Sequence, residues 1–350
     1  MIINLLFNFN LVGIGQLKID RDLLLNGMKK RLLSGIQPSG IIHIGNYFGA
    51  IKQLVDLQDK YDSFVFIADL HAITTIQNKK DLSKNIINVA LDYLACGLDP
   101  LKICLFKQSD VAEVTELAWY FNCITTVPYL ERATAYKDAH MKAKEINVGL
   151  FDYPMLMAAD ILLYDSNVIP VGQDQKQHVE YARDTAQKFN NIFGETFILP
   201  EPLIMKDVAI VPGIDGRKMS KSYKNTIPLF GTDEEIEKAV MKIVTDSKGT
   251  DEPKDPDTCN VFALHKLFIS GDELETLRDK YIKGGLGYKE SKEMLFKEIL
   301  NLIKPMREKR ENYAKDLDSV RTILEKGAKK AKVIAFEKIN IIRNKVGVKI

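Results

Sequence analysis

No two of the four cysteines stand in Cys-x-x-Cys spacing: Cys96, Cys104, Cys123 and Cys259 are scattered. That scatter argues against a disulfide framework and lacks the usual ligand spacing of a zinc or iron–sulfur site. A reducing compartment and a cytoplasmic protein without a resident metal are therefore expected. No sign of charge dominates either, because 49 Lys and Arg face 47 Asp and Glu for a formal net of +2. A histone-like polycation is excluded, and no DNA partner is expected. Met1 to Leu17 carries no charged side chain, yet it is shorter than the roughly 20 apolar residues that span a bilayer. Asn4, Asn8, Asn10, Gly13, Gly15 and Gln16 interrupt it, so no membrane partner is expected. It also lacks the basic start and small-residue cleavage site of a secretory signal. Gly13–Ile14–Gly15 lacks the third glycine of a dinucleotide loop, since Lys18 stands there. There is no internal repeat and no low-complexity tract.

What is present fits an ordinary globular protein. The chain has 350 residues, 46% hydrophobic and 27% charged, enough for about two domains with a sizeable core. Charge is unevenly placed. Residues 301–350 hold 14 Lys and Arg against 6 Asp and Glu, a net of +8, so the remainder sums to −6. Such a basic end suits a polyanionic partner, although a solvated lysine-rich helix face is the simpler reading of this feature alone. Composition breaks at Met28, followed by Lys29, Lys30 and Arg31. Residues 1–27 read as an upstream extension outside the fold, with Met28 the natural start.

Arg31–Gln37 reads as a short buried strand stopped by Pro38–Ser39–Gly40, and His43 to Leu57 as an amphipathic helix. Ser63–Asp69 and Ile103–Phe106 read as further buried strands, with a helix from about Asp81 to Ala95 between them and helical sequence over 111–135. Met155–Tyr164 is an apolar helix, Val168–Gly172 a strand ending in glycine, and Gln173–Phe189 a helix. Pro200–Tyr223 reads as loop. Strands alternating with helices predict an α/β fold, with a Rossmann-type, doubly wound parallel sheet over 28–227. After Pro228 only helical patterns remain. Thr232–Glu235 fits a capping box, and 246–259 a long loop. Leu295, Ile299, Leu302 and Met306 recur at helical spacing, and Pro305 is predicted to kink or break that helix. A smaller all-helical domain over 228–322 and a C-terminal segment over 323–350 follow.

Two motifs carry chemistry. Pro38–Asn46 lies where the first strand turns into a helix, at the carboxyl edge of the sheet. A helix N-terminus there offers N–H groups and a positive dipole end to phosphate. Gly45 leaves the backbone open to a flat adenine or a ribose. His43 and Asn46, three apart, would aim two donors at a phosphate, or would simply cap the helix. Lys218–Met219–Ser220–Lys221–Ser222 follows Gly213 and Gly216. Two lysines three apart with two hydroxyls suit a triphosphate whose leaving pyrophosphate gains charge. Either motif alone suits a surface; paired across an α/β pattern, they point to nucleotide chemistry. Asp160 sits between Met155–Ala159 and Ile161–Leu163. A carboxylate so placed is costly unless paired, by a cap, a salt bridge or a ligand.

His43–Asn46 and Lys218–Ser222 are similar to the two signature elements of class I aminoacyl-tRNA synthetases. Ser34–Gly40, Asp69–Thr74, Tyr153–Tyr164 and Val171–His178 resemble bacterial tryptophanyl-tRNA synthetases, over essentially Met28 to Gly347. The resemblance implies a homodimer whose 228–322 domain reads the anticodon and whose 323–350 helix packs back on the catalytic domain. It implies ATP as substrate with Mg²⁺, and L-tryptophan and its tRNA as partners. Gln37, Pro38, Ser39, Gly45 and Asn46 would contact ATP, and Gly172, Gln173 and Asp174 the adenosine. Ile210 would pack near adenine, while Lys218, Met219, Ser220, Lys221 and Ser222 would close over the phosphates. His43, Asn46, Lys218 and Lys221 would carry catalysis. Asp160 would accept the indole N–H, Tyr153 and Gln175 would meet the α-ammonium, and His71, Met157 and Val171 would line the pocket. One departure stands out: in the segment similar to the family's lysine-bearing loop, residues 137–145, Ala139 falls where a phosphate lysine is expected. Lys137, Lys142 and Lys144 remain open as substitutes. Alternatives are a tyrosyl-tRNA synthetase, a small nucleotidyltransferase and an inactive tRNA-binding paralogue.

Overall fold

A computed structural model of the chain describes residues 29–38, 40–141, 145–172, 176–204 and 211–349. Its sheet has five parallel strands: β1 (Arg31–Ile36), β2 (Asp62–Ile67), β3 (Cys104–Lys107), β4 (Val168–Val171) and β5 (Glu201–Ile204). Their order is β3-β2-β1-β4-β5. Helices of nine residues or more are labelled α1 (Lys79–Ala95), α2 (Glu113–Ile124), α3 (Val148–Leu163), α4 (Lys176–Phe193), α5 (Asp233–Met241), α6 (Asp272–Lys283), α7 (Tyr288–Lys315) and α8 (Leu317–Val346). The chain winds outward from β1 to β3, then returns to the other side of β1 for β4 and β5. The strand order therefore reverses between β1 and β4, and a crevice opens beyond their carboxyl ends.

Both sheet faces are buried, which is why the strands read as near-continuous apolar runs. Leu32, Val65, Ile67 and Leu105 face α1 and share one core with Ile236, Val261, Ile299 and Val320 of the later helices. Leu33, Phe64, Phe66 and Phe106 face the other way, against α2, α3, α4 and the second half of α8 through Ala328, Ala331, Ala335 and Ile339. α8 crosses β3, the last strand on its side. At Gly327 an added Cβ would stand 1.8 Å from the carbonyl oxygen of Leu105, so only glycine allows the helix so close. The Cys104 thiol donates to the Gly327 carbonyl at 3.2 Å. Farther along, the buried Lys338 donates to Asp165 and to the Thr196 carbonyl, both at 2.6 Å.

Several elements depart from the sequence expectation. β5 lay inside the expected loop because Pro202 interrupts it; as the outermost strand of the order it tolerates a residue without an N–H. α3 begins at Val148, seven residues early, with Asn147 capping the Leu150 amide at 2.8 Å. The 111–135 segment divides after Ile124, and Pro128 opens a new short helix, Val127–Leu130. α7 runs through Pro305 as one helix. Its flanks are held on both sides: Ile299 and Ile303 are buried before the proline, and Arg307 and Arg310 are paired after it. The Thr232 capping box forms as expected, with reciprocal bonds of 3.2 and 2.9 Å to Glu235. Among the described residues after Pro228 there are helices and loops only, and no described helix is long and apolar enough to cross a membrane.

Candidate active site at the switch point of the sheet

Exposed Gln37 and buried Pro38 follow β1, and the chain enters a helix at Ile44. His43 is the N-cap residue. The Asn46 side-chain oxygen accepts the His43 backbone N–H at 3.1 Å, so Asn46 caps the helix with its oxygen while its amide nitrogen takes no part in that bond. Ile227 and Leu229 tie this turn to the later chain, through Ile44 N–H to Ile227 carbonyl and Leu229 N–H to Ile42 carbonyl, both 3.0 Å. His43 is 6% exposed, and its Nδ1 has no partner among the described residues. Burial, and then the charge of Lys221, push its imidazole down to about 4. A neutral ring faces the cavity at pH 7.

The two signature motifs touch. The Gly45 N–H lies 3.3 Å from the sulfur of Met219, and a Cβ on Gly45 would meet Met219 and His43 at 3.0–3.2 Å. The backbone face of Gly45, read from sequence as open to adenine or ribose, is thus covered by buried Met219 in this conformation. Buried Asn225 organises the loop: its amide donates to Asp215 at 2.7 Å and to the Lys218 carbonyl at 3.1 Å, and its oxygen accepts from the Ser220 N–H at 2.8 Å. Gly213 is required beside it, since an added Cβ would stand 2.2 Å from the Asn225 amide. Lys218 and Ser222 are exposed, and Lys221–Tyr223 forms a single tight turn.

A second cluster lies beyond the carboxyl ends of β2 and β3. Asp160 on α3 is 3% exposed. Its Oδ2 accepts from His71 Nε2 at 2.9 Å, and both its oxygens lie 2.9 Å from the side-chain nitrogen of Gln108. Burial pushes the Asp160 carboxyl up, and the bonds from His71 and Gln108 oppose that shift. Gln108 follows β3 directly. Its oxygen accepts from the Leu70 N–H at 3.1 Å, which fixes the amide and aims its NH₂ at Asp160. Tyr153 stands beside His71, ring centroids 6.2 Å apart, and its hydroxyl contacts the His178 ring at 3.1–3.2 Å. Met157 and Val171 are half-buried at the margin of the same core. Gly35, exposed at the end of β1, leaves room on this side: a Cβ there would stand 2.5 Å from the Phe66 ring.

The structure therefore brings together His43, Gly45, Asn46, Met219 and Lys221 at one place, and His71, Tyr153 and Asp160 at another. Gly172 is exposed just past β4. Ser39, Gln173, Asp174, Gln175 and Ile210 lie outside the described residues, as do Lys142 and Lys144; Lys137 is in the short helix Thr134–Met141. Gln108, Gly35 and Asn225 were missed. Only the glutamine's place immediately after a buried strand could have signalled it.

Residues 26–304 match the family model of class I tRNA synthetases (W and Y). A tryptophan–tRNA ligase from Fusobacterium nucleatum is 54% identical over 319 residues, covering 91% of this chain and 98% of that relative. The chain belongs to the class I tryptophanyl-tRNA synthetase family. A second relative, the tryptophan–tRNA ligase of Rhodopirellula baltica, is 50% identical over 319 residues, 91% of this chain and all of the relative. Among solved structures, the tryptophanyl-tRNA synthetase of Campylobacter jejuni in complex with ADP and tryptophan superposes with a TM-score of 0.86 at 47% identity, covering 91% and 99% of the two chains.

Proposed function

We propose that this chain is a tryptophan–tRNA ligase. It activates L-tryptophan with ATP and then charges the 3′ end of the tRNA for tryptophan. In the first step a carboxylate oxygen of tryptophan attacks the α-phosphorus, a P–O bond to the bridging oxygen breaks, and pyrophosphate leaves. In the second, the 2′-hydroxyl of the terminal adenosine attacks the acyl carbon and AMP leaves. No side chain acts as nucleophile; positioning and charge stabilisation carry the rate. The nucleotide lies across Gln37–Asn46 and Gly172–Asp174, with Ile210 by the adenine. His43 and Asn46 donate hydrogen bonds to phosphate, and Lys218 and Lys221 oppose the charge that grows on the leaving pyrophosphate. Mg²⁺ enters as part of the nucleotide substrate.

The observation that carries the amino-acid assignment is Asp160. Indole nitrogen can only donate, so its pocket needs an acceptor, and an ionised carboxylate offers about four lone-pair sites. Gln108 and His71 occupy three contacts and leave room for one more donor. Tyr153 and Gln175 meet the α-ammonium, and His71, Met157 and Val171 shape the wall. Residues 28–227 form the catalytic domain and 228–322 the anticodon-reading domain. The basic 323–350 segment packs on the catalytic domain, and the enzyme works as a cytoplasmic homodimer; residues 1–27, read from sequence as an upstream extension, lie outside the described residues. ATP–pyrophosphate exchange with each of the 20 amino acids tests the reading, with exchange expected for tryptophan alone. Exchange driven by tyrosine would overturn the specificity, and none with any amino acid would leave an inactive tRNA-binding paralogue. Tryptophan methylated on the indole nitrogen should lose about 10⁴–10⁵ in kcat/KM, the usual rejection by a site left with an unpaired acceptor.

A further inference from the structure

The carboxyl ends of β2 and β3 hold a second buried carboxylate that the reaction as derived does not use. Asp69 opens the short helix Asp69–Ile73, two residues after β2, and is 5% exposed. Its Oδ1 accepts the Ser109 backbone N–H at 2.9 Å, and its Oδ2 accepts the Ser109 hydroxyl at 2.5 Å. Lys107 donates to the same hydroxyl at 2.7 Å and stands 4.0 Å from Oδ2, so the buried charge has a cation beside it. Ser109 is the middle residue of the tight turn Gln108–Asp110 that follows β3. The ladder between β2 and β3 ends at the pair Ile67 and Lys107, one residue short of Gln108. Beyond that last rung, Asp69 ties the two chain segments through Ser109. The next residue of the short helix adds a second tie: the Leu70 N–H lies 3.1 Å from Asp69 Oδ1 and 3.1 Å from the Gln108 side-chain oxygen.

We propose that Asp69 is a positioning residue for tryptophan recognition: by clamping Ser109 it fixes the backbone of Gln108, and with it the amide that donates to both oxygens of Asp160. The proposal rests on the reading that Asp160 accepts the indole N–H. Gln108 is held at two points, its side-chain oxygen by the Leu70 N–H and its main chain by the Ser109 clamp. A glutamine side chain is long and has many rotamers, so one point alone does not decide where its NH₂ is aimed. With the clamp released, the 108–110 turn can shift, and the 2.9 Å bonds to Asp160 lengthen and lose alignment. The indole N–H then meets a carboxylate that is still present but less firmly oriented. The loss falls on a ligand that donates from that place. The residues around His43 and Met219 form the other cluster, so recognition of ATP should be untouched.

The test compares L-tryptophan with benzothienylalanine, in which sulfur replaces the indole N–H, on the full-length protein. Calorimetric Kd for each amino acid and ATP–pyrophosphate exchange are measured for wild type, Asp69→Asn, Gln108→Leu and the pair. Asp69→Asn should weaken tryptophan binding and raise its KM about tenfold, a coupling within the range of residues in one network, with KM for ATP unchanged. The Kd of benzothienylalanine should hold, because it offers Asp160 no proton. In the Gln108→Leu background Asp69→Asn should have no further effect. Ser109 is exposed, so Ser109→Ala perturbs the clamp with little burden on the fold, and it carries the comparison if Asp69→Asn does not yield folded protein by thermal unfolding. It removes the hydroxyl bond alone and should show a smaller loss of the same kind, whereas Ser109→Thr, which keeps a hydroxyl, should bind tryptophan as wild type does. The proposal is overturned if the two amino acids weaken together, as a purely structural role requires. It is equally overturned if tryptophan binding holds in Asp69→Asn and Ser109→Ala alike, or if the losses multiply with that of Gln108→Leu. Should wild type bind benzothienylalanine as tightly as tryptophan, the indole hydrogen bond itself is absent, and the proposal falls with it.

Discussion

Protonation of His43 should be difficult, and the difficulty can be measured. Its ring is nearly covered, and Lys221 bears on it from the same cavity. Burial first and that charge second take its pKa from 6.5 to about 4. An unfolded chain binds the proton near 6.5, so between these values the unfolded state holds more protons than the folded one. The stability tied to the neutral ring is therefore complete above pH 6.5 and is lost as pH falls toward 4. The gap of 2.5 pH units corresponds to about 3.4 kcal/mol at 1.36 kcal/mol per unit. Water in the open cavity beside the ring screens the charge and reduces this to about 2 kcal/mol. NMR titration should show a ring that stays neutral down to about pH 4, and His43→Gln should remove that signal. Urea unfolding at pH 6.5 and pH 4 should show the wild type losing about 2 kcal/mol more than His43→Gln. In Lys221→Met the midpoint should rise yet stay well below 6.5, because burial is the larger cause. A His43 midpoint at 6 or above, or equal losses in wild type and His43→Gln, would refute the reasoning. The consequence for the reaction is that His43 offers a phosphate a hydrogen bond from a neutral ring.

Gln108→Leu removes the amide that donates to Asp160 and should lower kcat/KM for tryptophan about 10- to 100-fold, the usual contribution of a hydrogen bond to a charged group. It should also raise the pH at which activity fails on the acid side, since the Asp160 carboxyl, already pushed up, loses an opposing donor; an unchanged acid limb in exchange assays would contradict this. Gly327→Ala should destabilise the protein by about 1–3 kcal/mol through the clash with Leu105. Helix propensity alone predicts the opposite sign, stabilisation by up to about 1 kcal/mol, so thermal unfolding decides between packing and propensity.

Much of the sheet was legible because buried parallel strands write themselves as short apolar runs; β1 to β4 and α1 lie within a few residues of their expected places. β5 was not legible, because a four-residue edge strand with a proline carries no periodic signal. Pro305 does not break α7, which runs through it as one helix with Ile299 and Ile303 buried before it and Arg307 and Arg310 paired after it. The pairing of the two signature motifs followed from their types and order, whereas the atoms in contact, Gly45 and Met219, did not. Gln108 and Asp160 are 52 residues apart, and Asp92 and Arg310 are 218 apart. Such partners meet because strand ends and helices are brought side by side, which no local pattern records.

The passage of α8 across β3 sets the timing of the fold during synthesis. β3 is complete at residue 107, and the helix that covers it begins at 317, about two hundred residues later. Until that helix arrives, the outer side of β3 is an unguarded template for another strand. A chain stopped short of residue 317 would therefore keep its motifs and most of its core, yet carry an adhesive edge. Its expected fate is self-association of the nascent product, which a folded but weakened enzyme would escape.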